Sequence, residues 1–137
     1  MHVAVDQGTG LIRSGRLTSA NIQDVSAAPD LLPPSAGTVY ADGGYHSRSL
    51  RELLAQKGFS DGVMRRAHKN QPLTPEEVAR NHALVPLRNP VEAVFGTLER
   101  SYGFTRMRYF NAARNLTAVL LACMADNLRR SLQLSPA

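Results

Sequence analysis

Arg88 and Glu92 are the first pair of ionisable side chains whose spacing suggests chemistry. They are four residues apart and would stand one above the other on a helix face. Apolar residues at helical spacing form a separate stripe that would bury the same helix: Val91, Val94, Phe95, Leu98 and Tyr102. Such a helix would hold one carboxylate at a fixed place beside a guanidinium. An ordinary solvated ion pair is the alternative interpretation of this spacing.

The second stretch, residues 38–45, places a carboxylate at the end of a predicted strand. Residues 39–41 (Val-Tyr-Ala) are typical of a short buried strand, Asp42 follows, and Gly43-Gly44 ends the strand at once. In α/β folds, residues at the carboxyl ends of strands line the site. A simple Asp-Gly turn explains the same residues, so both interpretations stay open from this stretch alone.

The order of these motifs resembles that of bacterial insertion-sequence transposases of the DDE type, in particular the IS-five-like group. The resemblance rests on Ala-Asp-Gly-Gly-Tyr at 41–45 and on Arg88-x-x-x-Glu92, which is similar to the family signature Tyr-(2)-Arg-(3)-Glu-(6)-Lys. It extends over nearly the whole chain, from about His2 to Arg130. Further similar stretches are His2-Val-Ala-Val-Asp6, residues 17–24 (LTSANIQD), residues 72–77 (PLTPEE) and residues 103–109 (GFTRMRY).

This resemblance implies an RNase H-like α/β catalytic domain with a C-terminal helical part. It implies that Asp42 is the second catalytic carboxylate and Glu92 the third, and that both bind Mg²⁺ or Mn²⁺. Arg88 would orient Glu92 or contact a DNA phosphate. The implied activity is metal-dependent DNA cleavage and strand transfer in DNA transposition, carried out by a homo-oligomer on insertion-sequence ends and target DNA.

The sequence departs from the family pattern at three places. Val85 stands at the signature Tyr, and Glu99 stands at the signature Lys with Arg100 next to it. In the family the first catalytic Asp lies on a strand upstream of the one that resembles His2–Asp6. We therefore expect a domain that is incomplete at its N-terminal side, and whether it is active alone stays open. Two alternatives follow: a non-enzymatic, DNA-binding or regulatory remnant, and a related nuclease that cuts DNA without joining it.

The charge of the chain independently favours an anionic partner. Sixteen Lys and Arg against eleven Asp and Glu give a formal net charge of +5 over 137 residues. A basic surface supplies the sequence-independent part of DNA affinity, so nucleic acid is the first candidate. Arg129-Arg130 suits a helix C-terminus instead. The residues predicted to bind DNA are Arg65, Arg66, Lys69, Arg100, Arg106 and Arg108.

Length predicts one domain, and the resemblance implies that residues 1–137 are a single partial DDE catalytic domain. Within it we expect a basic loop and short helical insertion at 66–84 and C-terminal helices at 86–133. Neither an apolar run of membrane-spanning length nor a signal-peptide pattern is visible, which predicts a cytoplasmic protein. The resemblance implies a bacterial, nucleoid-associated one. The lone Cys123 excludes an internal disulfide and is expected to be a small buried hydrophobe.

The remaining pattern predicts the elements around these motifs. We expect a hairpin of strands at 2–6 and 11–18, a short helix from Asn21 to about Leu32, a helix at 47–57 and a strand at 59–64. Thr74-Pro-Glu-Glu77 starts another helix, and Gly103 ends the helix that carries Glu92. Asn111 or Asn115 opens the last helix, to about Leu132. Its expected core stripe is Leu116, Leu120, Cys123, Met124, Asn127 and Leu128.

Three further ionisable residues lie close to these motifs and stay outside the predicted catalytic set. Asp6 ends a strand, but it matches a later position of the family. Asp24 belongs to a stretch that resembles the family, which makes a role at the active site one interpretation; the other is the helix dipole, which an Asp in the first turn of a helix usually serves. His46 follows Asp42 closely, and either a supporting or phosphate-binding role or a solvated loop position fits it.

Overall fold

A computed structural model describes residues 1–19, 21–34 and 37–134, and the chain divides into two compact units. The first unit comprises Met1–Ser19 and Asn89–Ala137, and the second comprises Ala20–Arg88. Strands and helices are mixed along the chain, which agrees with the expected α/β class. Among the described residues, none of the helices combines the length and the apolar character needed to cross a membrane.

An antiparallel hairpin opens the first unit, as predicted. Strand β1 (His2–Val5) pairs with β2 (Ile12–Arg16), with His2 opposite Arg16 and a shift in register between Ala4 and Val5. Asp6 organises the turn: its Oδ1 accepts hydrogen bonds from the Thr9 backbone N–H at 2.8 Å and hydroxyl at 2.6 Å. These bonds, with smaller effects from Arg13, lower the pKa of Asp6 to about 2. Its carboxylate therefore serves the turn.

Two helices complete this unit and bury its core. They are α4 (Asn89–Tyr102) and α5 (Ala112–Leu134). Asn127 of α5 binds the backbone of Ile12 twice, accepting from its N–H and donating to its carbonyl, both at 2.8 Å. This pair of hydrogen bonds fixes α5 against β2. The buried core consists of Val3, Ile12, Val94, Leu98, Val119, Ala122 and Cys123.

The prediction for the buried stripe of α5 is only partly right. Cys123 is buried, and burial followed by the charge of Asp126 raises its thiol pKa, but Met124 and Leu128 are 61% and 68% exposed. Apolar residues occur around most of α5, so periodicity does not define one face. Polar residues with partners also lie on the buried face of α5. Asp126 is buried, and its carboxylate pairs with Arg129 at 2.9 Å.

The second unit is built around a parallel strand pair. Strand β3 (Thr38–Ala41) pairs with β4 (Ser60–Val63), with Thr38 opposite Ser60 and Ala41 opposite Val63. Helix α2 (Arg48–Gln56) connects them, with the Ser47 hydroxyl accepting from the Leu50 N–H at its start. A 3₁₀ turn (Asp24–Ala27) and the short helix α1 (Ala28–Leu31) precede the pair. The buried core consists of Ala28, Leu50, Leu54, Phe59 and Val63.

Helix α3 (Pro75–Leu84) holds the end of β4 through two polar side chains. It starts with the predicted capping box of Thr74 and Glu77. Arg80 donates to the carbonyls of Val63 and Asp61, each at 2.8 Å. Asn81 accepts from the Arg65 N–H at 2.7 Å and donates to the Arg65 carbonyl at 2.9 Å. The chain that leaves β4 is therefore fixed in direction.

Substituting Leu98 tests the core of the first unit. Leu98→Ala removes a fully buried side chain and should lower the free energy of unfolding by about 2–5 kcal/mol, through lost burial and the cavity left behind. Leu128→Ala, at a 68% exposed position of the same unit, should change it by less than about 0.5 kcal/mol. Urea unfolding followed by circular dichroism measures both. Equal losses would contradict this core assignment.

Candidate active site

Asp42 lies where β3 ends, as predicted, and its side chain is oriented by a turn. It is the N-cap of a 3₁₀ turn (Gly43–Tyr45), and its Oδ1 accepts a hydrogen bond from the Gly44 N–H at 2.9 Å. The turn interpretation and the site interpretation are therefore both compatible with this geometry. The cap uses one carboxylate oxygen and fixes the direction of the other.

Asp24, which sequence reasoning considered and left outside the catalytic set, reaches the same place. A Cβ placed on Gly44 would lie 2.8 Å from Asp24 Oδ2 and 3.0 Å from Asp42 Oδ1. The two carboxylates therefore face one point beside Gly44, and only a residue without a side chain fits between them. Asp24 is the first residue of its 3₁₀ turn, as the helix-dipole interpretation expects. Its carboxylate also reaches Gly44, which that interpretation does not explain. The Gly43-Gly44 pair predicted free space beside Asp42, but the sequence did not predict that Asp24 occupies this space.

The negative charge of Asp24 and Asp42 contributes to the raised pKa of Tyr45. Burial first, and then the negative charges of Asp24 and Asp42, raise the pKa of the Tyr45 phenol to about 12. A phenolate beside two carboxylates would add a third negative charge, so the hydroxyl keeps its proton. The site thus concentrates negative charge that favours a cation. Among the residues described by the structure, however, no group of three Asp, Glu, His or Cys side chains is placed to hold a metal ion.

A cavity of about 380 Å³ opens beside this pair within the second unit. His46 lies on its wall and accepts a hydrogen bond through Nδ1 from the Arg66 N–H at 3.2 Å. Burial, followed by the positive charges of Arg51, Arg65 and His68, lowers the pKa of His46, so the neutral ring carries its proton on Nε2. The polar residues that line the cavity include Asn21, Gln23, Asp24, His46, Ser47 and Arg66.

The basic segment at 65–69 continues from β4 and contains two different kinds of cation. Arg66 and Lys69 are exposed, and Arg66 also lines the cavity. The Arg65 side chain is only 19% exposed, and its Nη1 lies 3.0 Å from Asp61 Oδ2. Arg66 and Lys69 are therefore more available to an anionic ligand than Arg65. The role of all three in DNA binding stays a prediction.

Arg88 lies directly before the helix that carries Glu92, and the predicted pairing of the two side chains stays a prediction. Helix α4 begins at Asn89, and Arg88 belongs to a 3₁₀ turn (Pro86–Arg88) in the second unit. The prolines at 86 and 90 favour this irregular entry, because a proline donates no backbone hydrogen bond. Arg88 Nη1 lies 3.3 Å from Met64 Sδ. Glu92 is in the first turn of α4, with its side chain exposed.

Arg100 follows Glu99 on α4, about two turns beyond Glu92. A Cβ on Gly96 would lie 2.9 Å from Arg100 Nη1, so the guanidinium folds back over Gly96 toward the turn that carries Glu92. The glycine leaves the room that this side chain occupies. Arg100 therefore brings a positive charge to the face where the family signature has Lys and this sequence has Glu99. Sequence reasoning placed Arg100 beside that position but could not give its direction.

Arg106 and Arg108 are exposed in the loop that follows α4. Arg108 Nη2 lies 2.8 Å from the place of a Cβ on Gly103, so its guanidinium closes back over the end of α4. Gly103 ends that helix, as predicted, with a φ of +71°.

The family of this chain follows from comparison with known proteins. A family model described as "Transposase DDE domain" matches residues 1–128. The chain therefore belongs to the DDE transposase domain family, as its motifs indicated. A transposase for insertion sequence element IS1106 from Neisseria meningitidis serogroup B is 38% identical over 117 residues. That match covers 84% of this chain and 41% of the relative's length. No solved structure matches the chain.

The shared negative charge around Gly44 predicts a measurable change in Tyr45. Asp42→Asn removes one charge that opposes ionisation of the phenol, so the pKa of Tyr45 should fall below about 12, while burial, the larger cause, keeps it above 10.0. Absorbance titration of the tyrosines gives this value, with Tyr45→Phe to identify the signal. Because the folded pKa is raised, the stability that Tyr45 contributes is complete below about pH 10 and is lost toward pH 12.

Glu52→Gln is the matched control for this titration. Glu52 is an exposed carboxylate of the same unit, paired with Arg48 on α2, and its substitution should leave Tyr45 unchanged. A Tyr45 pKa that stays at about 12 in both Asp24→Asn and Asp42→Asn would contradict the placement of the two carboxylates.

Proposed function

We propose that this chain is catalytic-domain sequence of an insertion-sequence transposase that binds DNA, cleaves it and joins the cleaved strand to target DNA. One observation carries the proposal: the Asp42 carboxylate, oriented by its cap, faces Asp24 beside Gly44, next to a cavity lined by Arg66. Negative and positive groups are thus adjacent in one unit. That combination suits a cation together with a phosphate.

The proposed fold is RNase H-like, with both units in one partial catalytic domain over residues 1–137. Support comes from the family match, which runs through both units from residue 1 to 128. An antiparallel hairpin followed by a parallel pair with a connecting helix is compatible with this fold. In this assignment, residues 66–84 form the basic loop and short helical insertion, and residues 86–133 form the C-terminal helices.

A divalent metal, which members of the DDE family generally use, fits the chemistry of the donors on this chain. Mg²⁺ and Mn²⁺ prefer oxygen ligands, and Mg²⁺ often takes only one or two carboxylates from a protein. Asp42 and Glu92 are the proposed metal-binding residues, and Asp24 adds an oxygen donor beside Asp42. When bound, the metal would activate the attacking oxygen and stabilise the leaving oxygen in phosphoryl transfer.

The cations of the chain have two proposed roles. Arg88 and Arg100 would hold DNA phosphates near the reacting groups, since a guanidinium binds a phosphate through two parallel hydrogen bonds. Arg65, Arg66, Lys69, Arg106 and Arg108 would bind the DNA backbone at a greater distance from the chemistry. Arg65 is the least available of these because Asp61 already pairs with it.

The partners follow from the same proposal. DNA is the substrate and the target, which would place the protein at the nucleoid in the bacterial cytoplasm. We propose a homo-oligomer as the active form, because two insertion-sequence ends and a target must be held together. A related nuclease would share the cleavage step and lack the joining step.

DNA binding without cleavage is the second candidate function. Two departures in the signature favour it: Val85 replaces a tyrosine, and Glu99 replaces a lysine that would meet DNA with a positive charge. A regulatory protein of this kind would occupy the DNA of the element and block an active enzyme.

Substitution of the proposed metal-binding carboxylates separates these functions. Asp42→Asn and Glu92→Gln should each lower metal-dependent cleavage of a plasmid carrying the element's ends by about 100-fold or more, because loss of outer-shell partners alone costs 10–100-fold. Nicking and joining are measured by gel electrophoresis with Mg²⁺ or Mn²⁺. Glu76→Gln, at an exposed acid in the first turn of α3, should cleave normally.

The products of that assay distinguish the functions. Nicked and joined products indicate a transposase, and nicked products alone indicate a nuclease. DNA binding with no cleavage under either metal, also by a chain extended with the upstream strand that carries the first catalytic Asp, would replace both with the regulatory function. Unchanged cleavage in Asp42→Asn and Glu92→Gln would remove both residues from the catalytic set.

Salt dependence tests the basic segment. Arg66→Ala should weaken binding to any duplex sequence and reduce the slope of log affinity against log salt by about one, because one phosphate contact is lost. Fluorescence anisotropy over a salt series measures this slope. Arg48→Ala is the control, since Arg48 is 89% exposed and pairs with Glu52 on α2. An equal effect of both substitutions would mean that general charge, not this segment, binds DNA.

A further inference from the structure

The loop of residues 103–111, between α4 and α5, presents an aromatic side chain fully to solvent. Phe110 has a relative exposure of 113%, and its neighbours Tyr109 and Met107 are 47% and 39% exposed. Burial of such a ring is favourable by about 1.5–3 kcal/mol. A Phe that is fully exposed to solvent therefore favours a surface that binds a partner.

The backbone on both sides of Phe110 is fixed by two asparagines. Asn115 is buried and binds Tyr109 twice, accepting from its N–H at 3.0 Å and donating to its carbonyl at 2.6 Å. Asn111 caps α5, because its Oδ1 accepts from the N–H groups of Ala113 and Arg114. Phe110 lies between these two anchors. Its exposure is therefore a property of an ordered segment.

The start of the loop is fixed as well. The Gly103 N–H donates to the Glu99 carbonyl at 3.2 Å, and the Phe104 N–H donates to the Leu98 carbonyl at 3.1 Å. Phe104 packs against the core of the first unit, whereas Phe110 does not. The Arg108 guanidinium folds over Gly103. One loop thus buries one of its two phenylalanines and exposes the other.

Charge indicates the chemistry of the partner. From residue 100 to residue 125 the sequence contains four arginines and no acidic residue: Arg100, Arg106, Arg108 and Arg114. All four are exposed. An apolar protein surface would not need this charge, whereas a polyanion that also offers flat aromatic faces matches it. Nucleic acid has both properties.

We propose that Phe110 stacks on an unpaired base of DNA while Arg106 and Arg108 hold the adjoining phosphates. The proposal rests on the proposed function and narrows its substrate to DNA with locally opened base pairs. The faces of paired bases are covered inside the duplex, so an aromatic ring can stack only where a base step is opened or a strand is single. Tyr109 adds a second aromatic ring on the same loop.

A bubble-containing duplex tests this proposal. The probe is an oligonucleotide duplex with a short unpaired region containing 2-aminopurine, compared with the same duplex fully paired. The full chain should bind the bubble at least about fivefold more tightly and quench its fluorescence, since stacking on one aromatic contributes about a factor of five or more. Phe110→Ala should lose that preference and the quenching, with duplex affinity within about twofold. Phe110→Trp should retain both.

Leu128→Ala is the matched control, because Leu128 is an exposed apolar residue of the same unit, remote in sequence from the loop. It should bind the bubble as the unchanged protein does. Equal bubble and duplex affinity in the unchanged protein, or an unchanged preference in Phe110→Ala, would overturn the stacking proposal while DNA binding stands. No binding to either DNA would overturn the proposed function itself. Self-association that Phe110→Ala abolishes, with bubble preference intact, would assign the ring to a second copy of the chain.

Discussion

The candidate site depends on the absence of a side chain at Gly44. Two carboxylates from separate turns reach the same point beside this residue, and a Cβ there would lie within 3.0 Å of an oxygen of each. Asp42 is held there by its bond to the Gly44 N–H, and Asp24 belongs to the turn that precedes α1. The close approach of like charges is unfavourable in itself, and a bound cation would relieve it. Burial first, and then the charge of this pair, raise the pKa of Tyr45 to about 12.

Helix α3 supports the basic side of the same unit. Arg80 and Asn81 bind backbone groups at the end of β4, so the segment that begins with Arg65 leaves the strand in a fixed direction. His46 accepts from the Arg66 N–H and so connects this segment to the turn after Asp42. Helix α3, which the sequence predicts only through its capping box, thus helps to position the basic segment beside the turn that follows Asp42.

Local patterns predicted the elements well where one residue type determines the outcome. The hairpin, the strand that ends at Asp42, the capping box at Thr74 and the helix end at Gly103 are confirmed. Patterns failed where the outcome depends on distant partners. The position of Asp24 beside Asp42 is a tertiary contact with no local signal. The buried face of α5 includes Asn115 and Asp126, whose partners Tyr109 and Arg129 no apolar periodicity reveals. The prolines at 86 and 90 account for the 3₁₀ turn that places Arg88 directly before α4.

Binding of Mn²⁺ followed by nuclear magnetic resonance tests the central claim most directly, because it requires no activity. A paramagnetic ion broadens the amide signals of nearby residues. If Asp42 is a metal ligand, the signals of Asp24 and of residues 42–46 should broaden first, and Asp42→Asn should abolish that effect. Broadening that is absent there, or that persists unchanged in Asp42→Asn, would contradict the assignment of Asp42 to a metal site and leave DNA binding as the function to be tested.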